Sequence, residues 1–291
     1  MSGFEGELIA ALGPAIGRRV RRLRSLSGGD INLAFAAELE DGGELFVKTH
    51  PRAPDGMYDA EARGLAWLGE AGALRIPAVV AVSGGGEGPA FLVLEYLASG
   101  KARSGFDEAL GRGLAALHRA SAPCFGFESA NFIGSLPQSN RPHPTFAEFF
   151  REERLLPQLE LAARNGRASS ALAKRFERLF SRLDDVVGPP EPPARLHGDL
   201  WSGNLHVGPA GEPCLIDPAV YGGHREIDLA MMRLFGGFGP RAFAAYEEAY
   251  PLAAGAAERV PLFQIYPLLV HTNLFGGRYA ASVEAALAHY V

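Results

Sequence analysis

The sequence predicts an α+β protein, with a small N-terminal lobe built on an antiparallel sheet plus one helix and a larger, mainly helical C-terminal lobe. Three observations carry this. Five β-leaning runs separated by turn signals fall before residue 97. Beyond Tyr96, apolar residues recur at three- and four-residue intervals through most of the chain. At 291 residues, 47% hydrophobic and 21% charged, the chain is long and apolar enough to bury a sizeable core.

Taken in order, residues 20–26, 33–39 and 44–49 are short β runs, and EDGGE at 40–44 is a hairpin signal between the second and third. Residues 58–72, YDAEARGLAWLGEAG, carry Ala62, Leu65, Ala66 and Leu68 at helical spacing and end in Gly, so they read as a helix. PAVVAVS and AFLVLEYL are two further strands, joined by GGGEG at 84–88; a lone glycine run is a turn before it is a phosphate site. FDEALGRGLAALHRA, HPTFAEFFREERLLPQLELAARNG and SSALAKRFERLFSRLDDVVG then read as helices. NLHV and PCLID form two short strands about the turn GPAGEP. EIDLAMMRLFGG, PRAFAAYEEAY and the segment from Val260 onward return to helix. The expected domains are 1–97 and 98–291, with the crossing near residues 95–101 and a cleft between the lobes, a preferred place for small ligands.

The bulk chemistry excludes several classes. A net charge of −5 makes no electrostatic case for nucleic acid. The basic cluster Arg18, Arg19, Arg21, Arg22 and Arg24 reads as a solvated face. Cys124 and Cys214, both in apolar surroundings, suggest buried thiols in a reducing compartment. There is no CxxC or HExxH, no basic-then-apolar leader and no run of about 18 apolar residues. The expectation is a cytoplasmic protein with no membrane or nucleic-acid partner.

The informative stretch is LHGDLWSGNLHV, residues 196–207, which sets His, Asp, Trp and Asn on a loop between apolar flanks. Phosphoryl transfer needs a cation for the nucleotide phosphates, oxygen ligands for divalent metal and a carboxylate to take a hydroxyl proton. The chain supplies these in order. Lys48 ends the strand ELFVK, and Glu61 lies on the following helix where it can pair with Lys48. Asp199 and Asn204 share the loop, and Asp217 ends the strand CLID after a short hairpin that turns the chain back toward Asn204.

HGDLWSGN has the spacing of the kinase loop HRDxxxxN, with Gly198 in place of Arg. The HGD form resembles the aminoglycoside phosphotransferase and choline kinase branch of small-molecule kinases. With its Trp, and together with NFIGSLPQSN at 131–140, IDPAVYGGHREIDLAM at 216–231 and LFGGF at 234–238, it resembles the fructosamine kinase (ketosamine 3-kinase) family over residues 10 to 285. The resemblance implies a protein-kinase-like bilobal fold and a MgATP-dependent phosphorylation of the sugar 3-hydroxyl of a ketosamine, free or as a glycated lysine on protein. The phosphorylated adduct then breaks down and frees the amine.

It further implies roles. Asp199 is the general base, Asn204 and Asp217 hold magnesium, and Lys48 touches the ATP phosphates, steadied by Glu61. The backbone of Glu95, Tyr96 and Leu97 is the adenine hinge. The SGGDIN turn, with Gly28 and Gly29, covers the phosphates. Trp201 stacks on the sugar and His271 lies near it. Of the residues around the loop, His197 reads as a support rather than the group that takes the proton, and Asp228 as a hydrogen-bond partner of the loop backbone from a helix start, with metal or the substrate amine as its alternative ligand. Apart from the resemblance, Tyr221, His224 and Glu226 lie on a loop after Asp217 from which they could reach the acceptor, but no spacing rule fixes them. Asp217 is followed by Pro-Ala, with no APE-like element before the next helix, so control by activation-loop phosphorylation is not expected. A cysteine that links dimers in some relatives is absent from the covering turn, and the oligomeric state stays open. An aminoglycoside- or choline-type kinase, and a nucleotide-binding pseudokinase, remain the alternatives.

Overall fold

Strand alternation decides what each face of the first sheet meets. The computed structural model describes residues 3–26, 32–84, 86 and 88–291. Gly28 and Gly29, expected to cover phosphates, lie outside the described residues. The chain divides into two compact units, the first comprising Met1–Ser104 and His206–Asp217, the second Gly105–Leu205 and Pro218–Val291.

The first unit contains β1 (Val20–Leu26), β2 (Leu33–Leu39), β3 (Glu44–Thr49), β4 (Val79–Ser83) and β5 (Phe91–Glu95), in the antiparallel order β1-β2-β3-β5-β4. Along β5, Phe91 and Val93 face helix α1 (Gly3–Ile16), which contributes Leu8 and Leu12. Leu92 and Leu94 face helix α2 (Met57–Glu70), which contributes Tyr58, Ala62 and Leu65. The period of two thus buries both faces of one sheet. The expected single helix is corrected to two. Leu8 and Leu12 are the buried positions of α1, and Gly3, Gly6, Gly13 and Pro14 dilute the signal that would have announced it.

Residues 206–217 count with the first unit although they lie far along the chain. The Gly100 N–H donates to the Val207 carbonyl (2.9 Å), Arg103 N–H to Gly211 (3.1 Å) and Leu215 N–H to Arg75 (2.9 Å). These bonds satisfy backbone groups on both sides and tie the hairpin to the first unit.

The remaining elements, in chain order, are helix α3 (Phe106–Arg119), the hairpin β6 (Asn131–Ile133) and β7 (Leu136–Gln138), α4 (Phe146–Phe149), a π-helical turn (Phe150–Leu155), α5 (Leu156–Arg164), α6 (Ser170–Phe180), α7 (Leu183–Val186), β8 (Ala194–Leu196), a 3₁₀ turn (Ser202–Asn204), β9 (Leu205–Val207), β10 (Pro213–Leu215), β11 (Tyr221–Gly223, paired with β8), α8 (Glu226–Phe235), α9 (Pro240–Ala249), α10 (Ala256–Phe275) and α11 (Tyr279–Leu287). The core of the second unit centres on Phe146, Phe150 and Phe263, whose rings lie 5.4–5.9 Å apart.

The π-helical turn has a local cause. Pro157 has no N–H for the carbonyl of Glu153, four residues back. The Arg154 guanidinium donates to that carbonyl instead (2.9 Å), and the Leu156 N–H reaches back five residues to Arg151. The widened turn places Arg154, with 0% exposure, over the rings of Tyr221 (3.8 Å) and Phe149 (4.5 Å).

Candidate active site

In the first unit, β3 sends Leu45 and Val47 toward α1, so Phe46 and Lys48 point toward α2. Glu61 sits one helical turn beyond Tyr58 on the buried face of α2. The two side chains meet there, with Lys48 Nζ 2.9 Å from both Glu61 oxygens. The same ammonium lies 3.1 Å from Oδ1 of Asp217, which is 41% exposed, whereas Lys48 and Glu61 are each 9% exposed. Burial opposes Lys48's charge, but the carboxylates of Asp217 and Glu61 outweigh it and hold the ammonium above its ordinary pKa. Burial pushes the Glu61 carboxyl up, against the pull of Lys48. One ammonium thus faces two carboxyl groups, one buried on α2 and one open to solvent. Asp217 also adopts φ +53°, a left-handed conformation that costs a non-glycine residue about 1–2 kcal/mol. The strand CLID thus stops at a residue bent out of strand geometry.

At the end of β5 the side chain of Glu95 is committed to the Arg75 guanidinium and to the Ala78 N–H (3.3 Å), and its own N–H donates to the Ala78 carbonyl (2.9 Å). Tyr96 and Leu97 follow, beyond the end of the strand. Arg21 and Arg22 converge on Glu38, and Arg24 pairs with Glu44 at 2.6 Å, so the basic cluster is spent on neighbouring carboxylates. Hydrogen bonds from Arg22 and Arg21 hold Glu38 down to about 2.

In the second unit, the loop after β8 is held from behind. Asp228, in the first turn of α8 and fully buried, accepts from the N–H groups of His197 (2.8 Å) and Gly198 (2.9 Å). Burial would raise its pKa, but its bonds to His118 and the backbone keep it below the ordinary value. His118 Nε2 lies 3.2 Å from Asp228, and Tyr246 meets its Nδ1 at 2.8 Å. Gly198 takes φ +81°, and a methyl group there would stand 2.0 Å from the Ala219 carbonyl oxygen, so neither the torsion nor the space admits a side chain. The Ala219 N–H donates to the His197 carbonyl at 2.9 Å.

On this support Asn204 Nδ2 donates to the backbone carbonyl of Asp199 (2.9 Å) and to its Oδ2 (3.2 Å). His197 Nδ1 accepts from the Asp199 N–H at 3.3 Å. Asp199 shares a pocket of about 10 Å³ with Ile133, Met231, Tyr266 and His271, room for one water-sized group. His271 donates from Nδ1 to the Pro267 carbonyl (2.8 Å), and burial lowers its pKa, so Nε2 is an acceptor at neutral pH. Trp201 is 38% exposed, with its ring over Gly203.

Tyr221, His224 and Glu226 do not present free groups to a ligand. They are 0–4% exposed: Tyr221 packs on Arg154, His224 stacks on Phe263 (5.1 Å), and Glu226 pairs with Arg259 (2.6 Å). Two supports escaped the sequence. A lone His118 on an amphipathic helix carries no signal. The polar run 131–140 proves to be a buried clamp. Gln138 Nε2 donates to the Ala219 carbonyl (3.2 Å), Asn131 Nδ2 to that of Val220 (2.8 Å), Arg154 to Asn140 Oδ1 (2.6 Å), and Tyr266 to Gln138 Oε1 (2.5 Å). Among the described residues, no helix is long and apolar enough to cross a membrane.

The chain is similar to known proteins over nearly its whole length. Residues 9–291 match the fructosamine kinase family model. The chain is 37% identical to a protein of Enterococcus faecium named a probable ketoamine kinase, over 90% of this chain and 93% of that one. It is 36% identical to the chloroplastic protein-ribulosamine 3-kinase of Arabidopsis thaliana, over 94% and 83%. A solved structure from Thermobifida fusca, named as a candidate fructosamine-3-kinase, superposes with a TM-score of 0.89 at 38% identity, covering 97% of this chain and 98% of that one. An aminoglycoside phosphotransferase at 17% identity and TM-score 0.66 shares the kinase-like fold. With the match spanning nearly all of both units and the loop His197–Asn204 that Asp228 supports, the chain belongs to the fructosamine kinase family.

Proposed function

We propose that this chain transfers the γ-phosphoryl group of ATP to the sugar 3-hydroxyl of a ketosamine, giving ADP and a ketosamine 3-phosphate. The observation that carries the reading is the buried ammonium of Lys48 between Glu61 and Asp217. The solvent-open carboxylate of Asp217 suits a divalent cation, and an all-oxygen donor set of one carboxylate and one amide, Asp217 and Asn204, suits magnesium, which keeps its other positions for water and phosphates. Among the described residues no three His, Cys, Asp or Glu cluster as a protein-only metal cage does. Magnesium, when bound, neutralises charge on the phosphates.

The chain's own residues do the rest. Lys48, oriented by Glu61, binds the nucleotide phosphates. With the Glu95 side chain and N–H committed to Arg75 and Ala78, the backbone of Tyr96 and Leu97 is left for adenine. Asp199, oriented by Asn204, accepts the proton of the attacking 3-hydroxyl as its oxygen bonds to phosphorus and the bond to the ADP oxygen breaks. Trp201 and His271 flank the sugar, and Gly28 and Gly29 cover the phosphates. The substrate is a small ketosamine or a glycated lysine on protein, and the free thiols of Cys124 and Cys214 fit action in the cytoplasm.

The test is ADP release on a panel of ribuloselysine, fructoselysine, an aminoglycoside and choline. Turnover confined to the ketosamines is expected. Asp199→Asn should lower kcat on the order of 10²–10⁴-fold with an unchanged melting temperature. Full activity in that variant removes the assigned base, and turnover of the aminoglycoside or choline alone removes the ketosamine.

A further inference from the structure

The tetrapeptide Leu-Phe-Gly-Gly occurs twice, at 234–237 and 274–277. Each copy ends a helix. Phe235 is the last residue of α8 and Phe275 the last of α10, and each is followed by a glycine at φ near +70° (69° at Gly236, 67° at Gly276). Both phenyl rings reach the same histidine, with centroids 4.7 Å (Phe235) and 5.5 Å (Phe275) from His271. Tyr279, at the start of α11, adds a third ring at 5.1 Å. His271 lines the pocket that contains Asp199. Phe235 is 37% and Phe275 52% exposed. Two large apolar rings are thus left open to solvent beside the proposed site of proton transfer.

We propose that this aromatic collar holds the amine-borne half of the substrate, the secondary ammonium and the carbon chain it carries. The inference rests on the ketosamine reading above and adds where its specificity resides. In a ketosamine three carbons separate the 3-hydroxyl oxygen from the nitrogen. With that oxygen at Asp199, the nitrogen falls within reach of the neighbouring wall, which is His271. Neutral His271 presents Nε2 as an acceptor for an ammonium proton. The ring faces attract a cation, and one already carries one, since the Arg278 guanidinium stands 6.0 Å from the Tyr279 centroid. The helix end contributes little, because Arg167 takes the carbonyls of Thr272 and Asn273. Methylene groups beyond the nitrogen cover the exposed rings, and the open side lets the chain continue into solvent, as a lysine side chain on a protein requires.

The experiment compares kcat/KM for ketosamines of one sugar carried on methylamine, butylamine, glycine and a lysine-containing peptide, in the unaltered chain and in Phe275→Ser, Phe235→Ser and Phe275→Leu. The expected result is a loss of about tenfold for the butylamine and lysine adducts in the serine variants, less than about threefold for the methylamine and glycine adducts, and recovery in Phe275→Leu. Equal losses across the series, or none, overturn the collar while leaving the ketosamine reading intact. A change in solution mass with unaltered selectivity assigns the rings to a contact between copies and also overturns it. Phosphorylation of no ketosamine at all overturns the reading and the collar together.

Discussion

His224 shows what a single buried group does to the protein's response to acid. Its ring stacks on Phe263, Nδ1 accepts the Glu226 N–H at 3.3 Å, and Nε2 lies 3.9 Å from Glu191. Burial lowers its pKa to about 4, the nearby Arg259 and Arg225 guanidinia add to this, and Glu191 opposes it. A depressed histidine is neutral in the folded chain and takes up its proton on unfolding. Its contribution to stability is therefore full above about pH 6.5 and is lost as the pH falls toward 4. A shift of that size corresponds to about 3 kcal/mol over the whole window. The melting temperature should fall by several degrees between pH 7 and pH 5, and the fall should be visibly shallower in His224→Phe, which keeps the stacking and removes the titration. Parallel melting curves for the two proteins across that range would mean that His224 does not set the acid response.

At the scale of elements, the buried clamp explains why Asn131, Gln138 and Asn140 are buried polar residues. β6 and β7 are three residues each, and their Asn and Gln side chains hold the backbone just after Asp217. Arg154 closes the clamp from the π-helical turn, serving the Ser139 carbonyl (2.6 Å) as well as Glu153 and Asn140. Arg154→Met fills the same space but leaves those acceptors without a donor, at about 1–3 kcal/mol for each. Thermal denaturation should show a drop of at least about 6 °C, and a change under 2 °C would show the clamp to be dispensable. These elements also mark where sequence reading stops. The five long strands and α2 were legible, because β-leaning runs of five to seven residues bounded by turn signals, and helical spacing over fourteen residues, leave a readable pattern. Lys48, Glu61, Asp199, Asn204 and Asp217 could be picked out as spaced chemistry, and the structure brings Lys48 to Glu61 and Asp217, and Asn204 to Asp199. Three-residue strands offer no period to read. A π-helical turn follows from what one proline withholds and one arginine supplies, and α1 hides behind its glycines.

For the whole molecule, the chain passes between its two units three times, at 104–105, 205–206 and 217–218. The first unit is therefore not a contiguous piece of sequence. A chain ending at Ser104 lacks the partners of Gly100, Arg103 and the Arg75 carbonyl, and Cys214, fully buried, is missing from its interior. Such a fragment should show poor dispersion in amide NMR spectra, and appending residues 206–217 through a flexible linker should restore it; a well-dispersed spectrum from the fragment alone would overturn the assignment of the hairpin. The glycine at 198 reaches furthest. In protein kinases an arginine occupies the matching place, and kinase activation loops are ordered when a new phosphate pairs with arginine. Here the oxygen of Ala219 stands where the first carbon of any such side chain must go. An arginine put there alone would have to displace that backbone and hold a left-handed torsion, so a phosphate-operated latch in this loop would need compensating changes beyond the one codon.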